Sequence, residues 1–167
     1  MKVCLGGTFN VLHDGHKKLF DKALEVASEK GILYIGLTRG EVIKIKKYVK
    51  SFEVRKKGIE EYFSKKKKTT IIKIISINTK YDQSLIYDDY DAIVVSPETI
   101  VTADEINVKR RNLGKKPLEV VQIPFVLAED GKPISSTRII NKEIDIRGSV
   151  LWSFFRIIFF LDFLDNF

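Results

Sequence analysis

A chain of 167 residues with 44% hydrophobic and 31% charged side chains has the composition of one folded domain, which excludes a disordered or fibrous protein. Its single cysteine, Cys4, excludes an internal disulfide framework and reads as a buried free thiol. The formal net charge of +7 favours an anionic partner.

The elements follow in order. "KVCL" predicts a short apolar strand. "GHKKLFDKALEVASEKG" then places Leu19, Phe20, Ala23, Leu24 and Ala27 on one helical face, closed by Gly31. "ILYIGLT" (Ile32–Thr38) predicts a second buried strand, and Ser51 can cap a helix over "FEVRKKGIEEYF". "TIIKIISI" (Thr70–Ile77) and "DAIVVS" (Asp91–Ser96) predict strands three and four. After Pro97 the chain reads as helical up to Gly114, and "LEVVQIPFV" (Leu118–Val126) predicts a fifth strand. A polar turn, "AEDGKP", leads to a short helix in "ISSTRIINKEI" capped by Ser135 or Ser136.

Strands alternating with helices imply a single Rossmann-like α/β domain: a five-stranded, mainly parallel sheet with helices on both faces. It is expected to span residues 1–148, and 149–167 to form an apolar, helical C-terminal extension. The tail's uncharged stretches fall short of the ~20 residues of a membrane span, so packing on its own domain is expected. The apolar run after Lys2 breaks at Gly6 and Gly7, so no secretory leader is expected and the cytoplasm is the default location.

Ligands of such sheets bind at the carboxyl ends of the strands. Gly6–His16, Thr38–Lys47 and Ser96–Thr99 follow strands one, two and four, and Pro133–Arg138 follows the fifth at a short remove. In "GGTFNVLHDGHKKLF" a glycine turn runs into a helix start, where exposed N–H groups and the helix dipole favour an anion. Thr8 offers a hydroxyl, His13 and His16 offer imidazole N–H groups, and Gly15 is expected to leave the helix start open for a ligand. Zinc is a poor alternative, because neither a second cysteine nor a third histidine completes the site. "PISSTRI" adds the hydroxyls of Ser135, Ser136 and Thr137 and the charge of Arg138 at a second helix start, a set suited to β- and γ-phosphates. The lysines of Lys44–Lys50 and Lys65–Lys68 read first as solvated faces, with a basic RNA-binding module as the non-enzymatic alternative.

These residues carry a resemblance. "GTFNVLHDGH" resembles the HxGH signature of the nucleotidyltransferase superfamily, and "ISSTRI" its second phosphate-binding motif. The strings "IGLTRGEVIKIKK", "VVSPET", "INVKRRNLGKKPLEVV" and "AEDGKPISSTRI" extend the similarity, to about Gly148, to the archaeal-type phosphopantetheine adenylyltransferases.

The resemblance implies that ATP and 4′-phosphopantetheine give dephospho-CoA and pyrophosphate, with Mg²⁺ bound through the ATP phosphates. It implies that His16 stabilises charge on the α-phosphate, His13 assists with the triphosphate, and Thr8 orients the attacking phosphate. Gly7 and Phe9 would line the cleft through their backbone. Lys47, by its spacing to Arg55, would bind phosphate, with Lys44 and Lys46 as close competitors. Ser135, Ser136, Thr137 and Arg138 would meet the departing pyrophosphate, and Ser96 and Glu98 would border the adenosine or pantetheine pocket. A sibling enzyme using nicotinamide mononucleotide, flavin mononucleotide or glycerol 3-phosphate would share both motifs. Asn10 departs from the acidic residue that relatives often carry there.

Overall fold

The computed structural model describes residues 1–40, 43, 48–66, 69–79, 81 and 89–151. Lys44, Lys46, Lys47 and residues 152–167 of the C-terminal extension lie outside the described residues. Five strands, β1 (Lys2–Gly7), β2 (Ile32–Thr38), β3 (Ile71–Ile77), β4 (Ala92–Val95) and β5 (Glu119–Gln122), form one sheet in the order β3-β2-β1-β4-β5. Every pairing is parallel, with Val3 beside both Leu33 and Ala92. The helices are α1 (Asp14–Ala27), α2 (Phe52–Ser64), α3 (Ile100–Asn112) and α4 (Ser136–Ile140).

The central strands β1 and β4 are apolar on both sides because both sides are covered. On β1, Val3 and Leu5 enter a core with Phe20 and Ala23 of α1 and Ile59 and Phe63 of α2. Cys4 points the other way, into a second core with Ala103 and Ile106 of α3. The period-two alternation repeats on β4, where Ala92 and Val94 join the first core and Ile93 and Val95 the second. A third cluster of Ala128, Ile134 and Ile144 supports the turn that carries α4. Burial pushes the Cys4 thiol up to about 12, so it is a packing group and not a thiolate nucleophile.

Two element ends fall four residues short of the sequence expectation. β5 stops at Gln122, four residues short of Val126, because Pro124 has no N–H for the ladder; Ile123 N–H still donates to Val95 O at 3.0 Å. Helix α1 ends at Ala27, with Ser28 at φ +60° as its cap, and not at Gly31. Gly31 serves a close approach instead, since a Cβ there would collide with the Ala27 carbonyl.

Val150 bridges Ile144 and Leu151 N–H donates to Glu143 O at 2.9 Å, so backbone pairing runs three residues beyond 148. Among the described residues no helix is long and apolar enough to cross a membrane.

Candidate active site

The chain winds outward from β1 through β2 to β3, then returns to place β4 on the other side of β1. That reversal splays the loops after β1 and β4 apart, which is where a parallel sheet opens a crevice. A cavity of about 980 Å³ lies there, lined by Gly7, Thr8 and Phe9 after β1, by Ser96 and Glu98 after β4, and by α4 and its approach.

The wall is built from hydroxyls and imidazoles. His13, His16, Ser135, Ser136 and Thr137 all reach it, and among the described residues no lysine or arginine lines it. Thr38 Oγ1 donates to Thr8 Oγ1 at 3.2 Å, so Thr8 is the acceptor of that pair and its own proton turns away from Thr38. Ser96 closes a tight turn in which its N–H donates to Thr99 Oγ1 at 3.2 Å, and Glu98 is exposed at the rim. Among the described residues no three His, Cys, Asp or Glu side chains cluster as a metal site, and Glu98 is the one carboxylate on the wall.

The histidines are stacked, with ring centroids 3.8 Å apart and planes 24° from parallel. Near-parallel rings hold their nitrogen lone pairs side by side and do not converge them on a shared ion, so the pair suits an extended anion better than zinc. His16 Nδ1 lies 3.2 Å from the Val11 carbonyl, which can only accept; Nδ1 therefore carries the proton. On that tautomer Nε2 donates to a phosphate oxygen only when the ring is an imidazolium. His13 is 5% exposed, and its Nδ1 is buried with no hydrogen-bond partner among the described residues. Burial lowers its pKa to about 4, with Asp14 opposing and Lys17 reinforcing the shift. His13 is thus neutral near pH 7, and an orphaned buried nitrogen at a cavity wall is a place for a ligand atom.

Two glycines of the motif exist for their aromatic neighbours. A Cβ on Gly15, which also lines the cavity, would sit 3.1 Å from both Cε1 and Nδ1 of His13. A Cβ on Gly7 would lie 2.6 Å from Phe9 Cζ. Phe9 is buried at φ +46°, in the left-handed region that disfavours a large side chain. Its ring meets His16 edge-on at 5.0 Å and Phe20 at 5.0 Å, anchoring the turn in the α1 core.

The second motif reaches the first through one peptide. Ser136 Oγ lies 3.2 Å from Val11 O and 3.4 Å from Val11 N, a pairing of residues 125 apart in the chain. Val11 O thereby accepts from both His16 and Ser136. Ser135 caps α4, its Oγ accepting from Arg138 N–H at 3.3 Å. Arg138 does not join the cavity wall: its guanidinium is held by Asp130 and Glu143 and donates to the Pro133 carbonyl at 3.1 Å. Its charge braces the turn that presents Ser135 to Thr137. Sequence reasoning missed the Val11 carbonyl and the hydroxyl of Thr38. A backbone oxygen in an unremarkable valine and a threonine at a strand end carry no motif.

Comparison with known proteins agrees with this architecture. The family model described as cytidylyltransferase-like matches residues 4–142. A phosphopantetheine adenylyltransferase of Methanosarcina mazei is 45% identical over 155 residues, covering 88% of this chain and 95% of that protein. One from Methanosarcina acetivorans is 43% identical over 153 residues, covering 89% and 95%. A crystal structure of a protein of unknown function from Archaeoglobus fulgidus superposes with a TM-score of 0.66 at 35% identity, covering 74% of this chain and 89% of that one. With both motifs meeting at Val11 and these relatives aligned along most of its length, the chain belongs to the cytidylyltransferase-like family, among its archaeal-type phosphopantetheine adenylyltransferases.

Proposed function

We propose that this protein transfers the adenylyl group of ATP to 4′-phosphopantetheine, forming dephospho-CoA and releasing pyrophosphate. The observation that carries the reading is the cavity at the β1/β4 switch, walled by the stacked His13–His16 pair and the Ser135–Thr137 turn, in a chain 45% identical to a phosphopantetheine adenylyltransferase.

An oxygen of the acceptor phosphate attacks the α-phosphorus of ATP as the bond to the pyrophosphate oxygen breaks. A phosphate monoester is already a nucleophile near neutral pH, so the site needs no general base and works by positioning and charge neutralisation. Thr8 directs its hydroxyl to the attacking phosphate, while the backbone of Gly7 and Phe9 forms the floor beneath it. His16 faces the triphosphate and stabilises charge growing on the α-phosphate. His13 satisfies its orphaned nitrogen against the same chain of phosphates. Ser135, Ser136 and Thr137 receive the departing pyrophosphate, with Arg138 bracing their turn. Lys47 is the favoured cation for the acceptor phosphate, ahead of Lys44 and Lys46. Ser96 and Glu98 border the adenosine or pantetheine pocket. Mg²⁺ would be held by the phosphates of ATP and would offset their charge, with the hydroxyls and imidazoles of the wall reaching it only through the nucleotide. A cytoplasmic location is part of the same proposal, supported by the ATP requirement and the buried free thiol of Cys4.

The test is His16→Ala. Loss of one charge-stabilising donor is expected to lower turnover at least ~10²–10³-fold while circular dichroism stays that of the folded protein. Turnover close to wild type would remove His16 from the reaction.

A further inference from the structure

We propose that Asn10 and Arg55 are positioning residues that together clamp the Thr8–Phe9 turn and so hold Thr8 toward the acceptor phosphate. The functional half of this inference rests on the acceptor proposed above.

Both side chains are buried polar groups, 8% and 2% exposed. Asn10 Nδ2 donates to Tyr48 O at 2.9 Å, and its Oδ1 accepts from Lys50 N–H at 2.8 Å. Arg55 reaches in from α2 with a three-way fork: Nε to Lys50 O at 2.9 Å, Nη1 to Thr8 O at 2.8 Å and Nη2 to Thr38 O at 2.9 Å. The two side chains therefore tie the turn after β1, the end of β2 and the approach to α2 to one another.

The clamp brackets the strained residue. Phe9, at φ +46°, lies between Thr8, whose carbonyl Arg55 holds, and Asn10, whose side chain is fixed at both ends. A bulky residue stays in the left-handed region only where its surroundings over-determine it. That conformation lays the Phe9 ring over Gly7 and against His16, so the clamp reaches the donors on the cavity wall without touching a ligand itself. Arg55 suits this task because a planar fork fixes three directions at once, which an ammonium does not. A desolvated guanidinium whose three bonds all end on carbonyls is a costly way to stabilise a core, and its return is geometry. The same geometry accounts for asparagine at position 10. The site needs a donor for Tyr48 O and an acceptor for Lys50 N–H on one short side chain, and an ionised aspartate supplies only the acceptor.

Two variants separate the clamp from ordinary stability. Asn10→Asp keeps the acceptor for Lys50 and sets a carboxylate against the Tyr48 carbonyl; Arg55→Lys keeps a charge and loses the fork. In each, KM for 4′-phosphopantetheine is expected to rise about tenfold, the scale of one lost buried hydrogen bond, with KM for ATP changed by less than about twofold. The Phe9 ring resonances are expected to shift in the NMR spectrum of Arg55→Lys, a change distant in sequence from that ring. An unaltered acceptor KM in a folded variant overturns the clamp, as do equal rises in both KM values alongside a lower Tm. Should Arg55→Lys fail to fold, the KM split of Asn10→Asp decides. Should the wild-type enzyme not use 4′-phosphopantetheine, the acceptor assignment fails separately. The Phe9 resonances then decide the clamp: displaced in its favour, unmoved against it.

Discussion

His13 combines three properties that rarely coincide in a histidine: it is buried, stacked on a second imidazole, and left with a nitrogen that nothing pairs among the described residues. Its pKa of about 4 against an ordinary 6.5 makes it a stability sensor as well as a site residue. Between those values the unfolded chain binds the proton and the folded one does not, so stability rises with pH there. The contribution is fully present above pH 6.5 and is lost as pH falls toward 4. His13→Asn is expected to show a shallower fall in Tm over that window than the wild type. Equal falls would mean that His13 takes up its proton in the folded protein as readily as in the unfolded one. At this scale the motif residues were legible because imidazoles and hydroxyls at a helix start have few other uses in combination. What they hold on to was not legible. The Val11 carbonyl that meets His16 and Ser136, and the carbonyls gripped by Arg55, belong to backbone, which looks the same in any sequence.

The start of α1 is the element on which the site depends, and Gly15 is its least replaceable position. The sequence expects its missing side chain to leave room for a ligand; Gly15 lines the cavity, and the structure adds the His13 ring as a second close neighbour. That second contact has a physical cause: residues two apart do not share a helical face, but His13 is the extended N-cap and its ring folds back over the first turn. Gly15→Ala then separates stability from activity. Alanine favours a helix by up to about 1 kcal/mol over glycine, so Tm is expected to hold or rise. The imidazole, displaced by a few tenths of an ångström, is expected to lower kcat severalfold, since a shift of about 1 Å can cost up to ~10² in rate. Unchanged kcat would show that the His13 position is not critical. Element types and order were legible from apolar runs and caps, and the Ser51 and Ser135 caps stand where expected. The ends of α1 and β5 were not: a left-handed Ser28 depends on tertiary contacts, and the apolar run continues past Pro124 although the ladder closes on Ile123 N–H.

Across the whole molecule, the strand order brings together motifs that lie far apart in the chain. β1 supplies the histidine loop, β4 opens the crevice beside it, and the polypeptide after β5 returns α4 to bond with Val11 over 125 residues of separation. Alternating strands and helices were enough to expect a parallel sheet and a site at its carboxyl edge. The reversal between β1 and β4 that opens the crevice needed the strand order. Because both motifs are proposed to address the nucleotide, the acceptor is the part of the function that geometry constrains least and the part on which the central claim stands. The direct measurement is pyrophosphate release from ATP by the purified protein with 4′-phosphopantetheine, nicotinamide mononucleotide, flavin mononucleotide and glycerol 3-phosphate in parallel. Release is expected with 4′-phosphopantetheine alone, accompanied by stoichiometric dephospho-CoA. Release with another acceptor and none with 4′-phosphopantetheine would contradict the assignment.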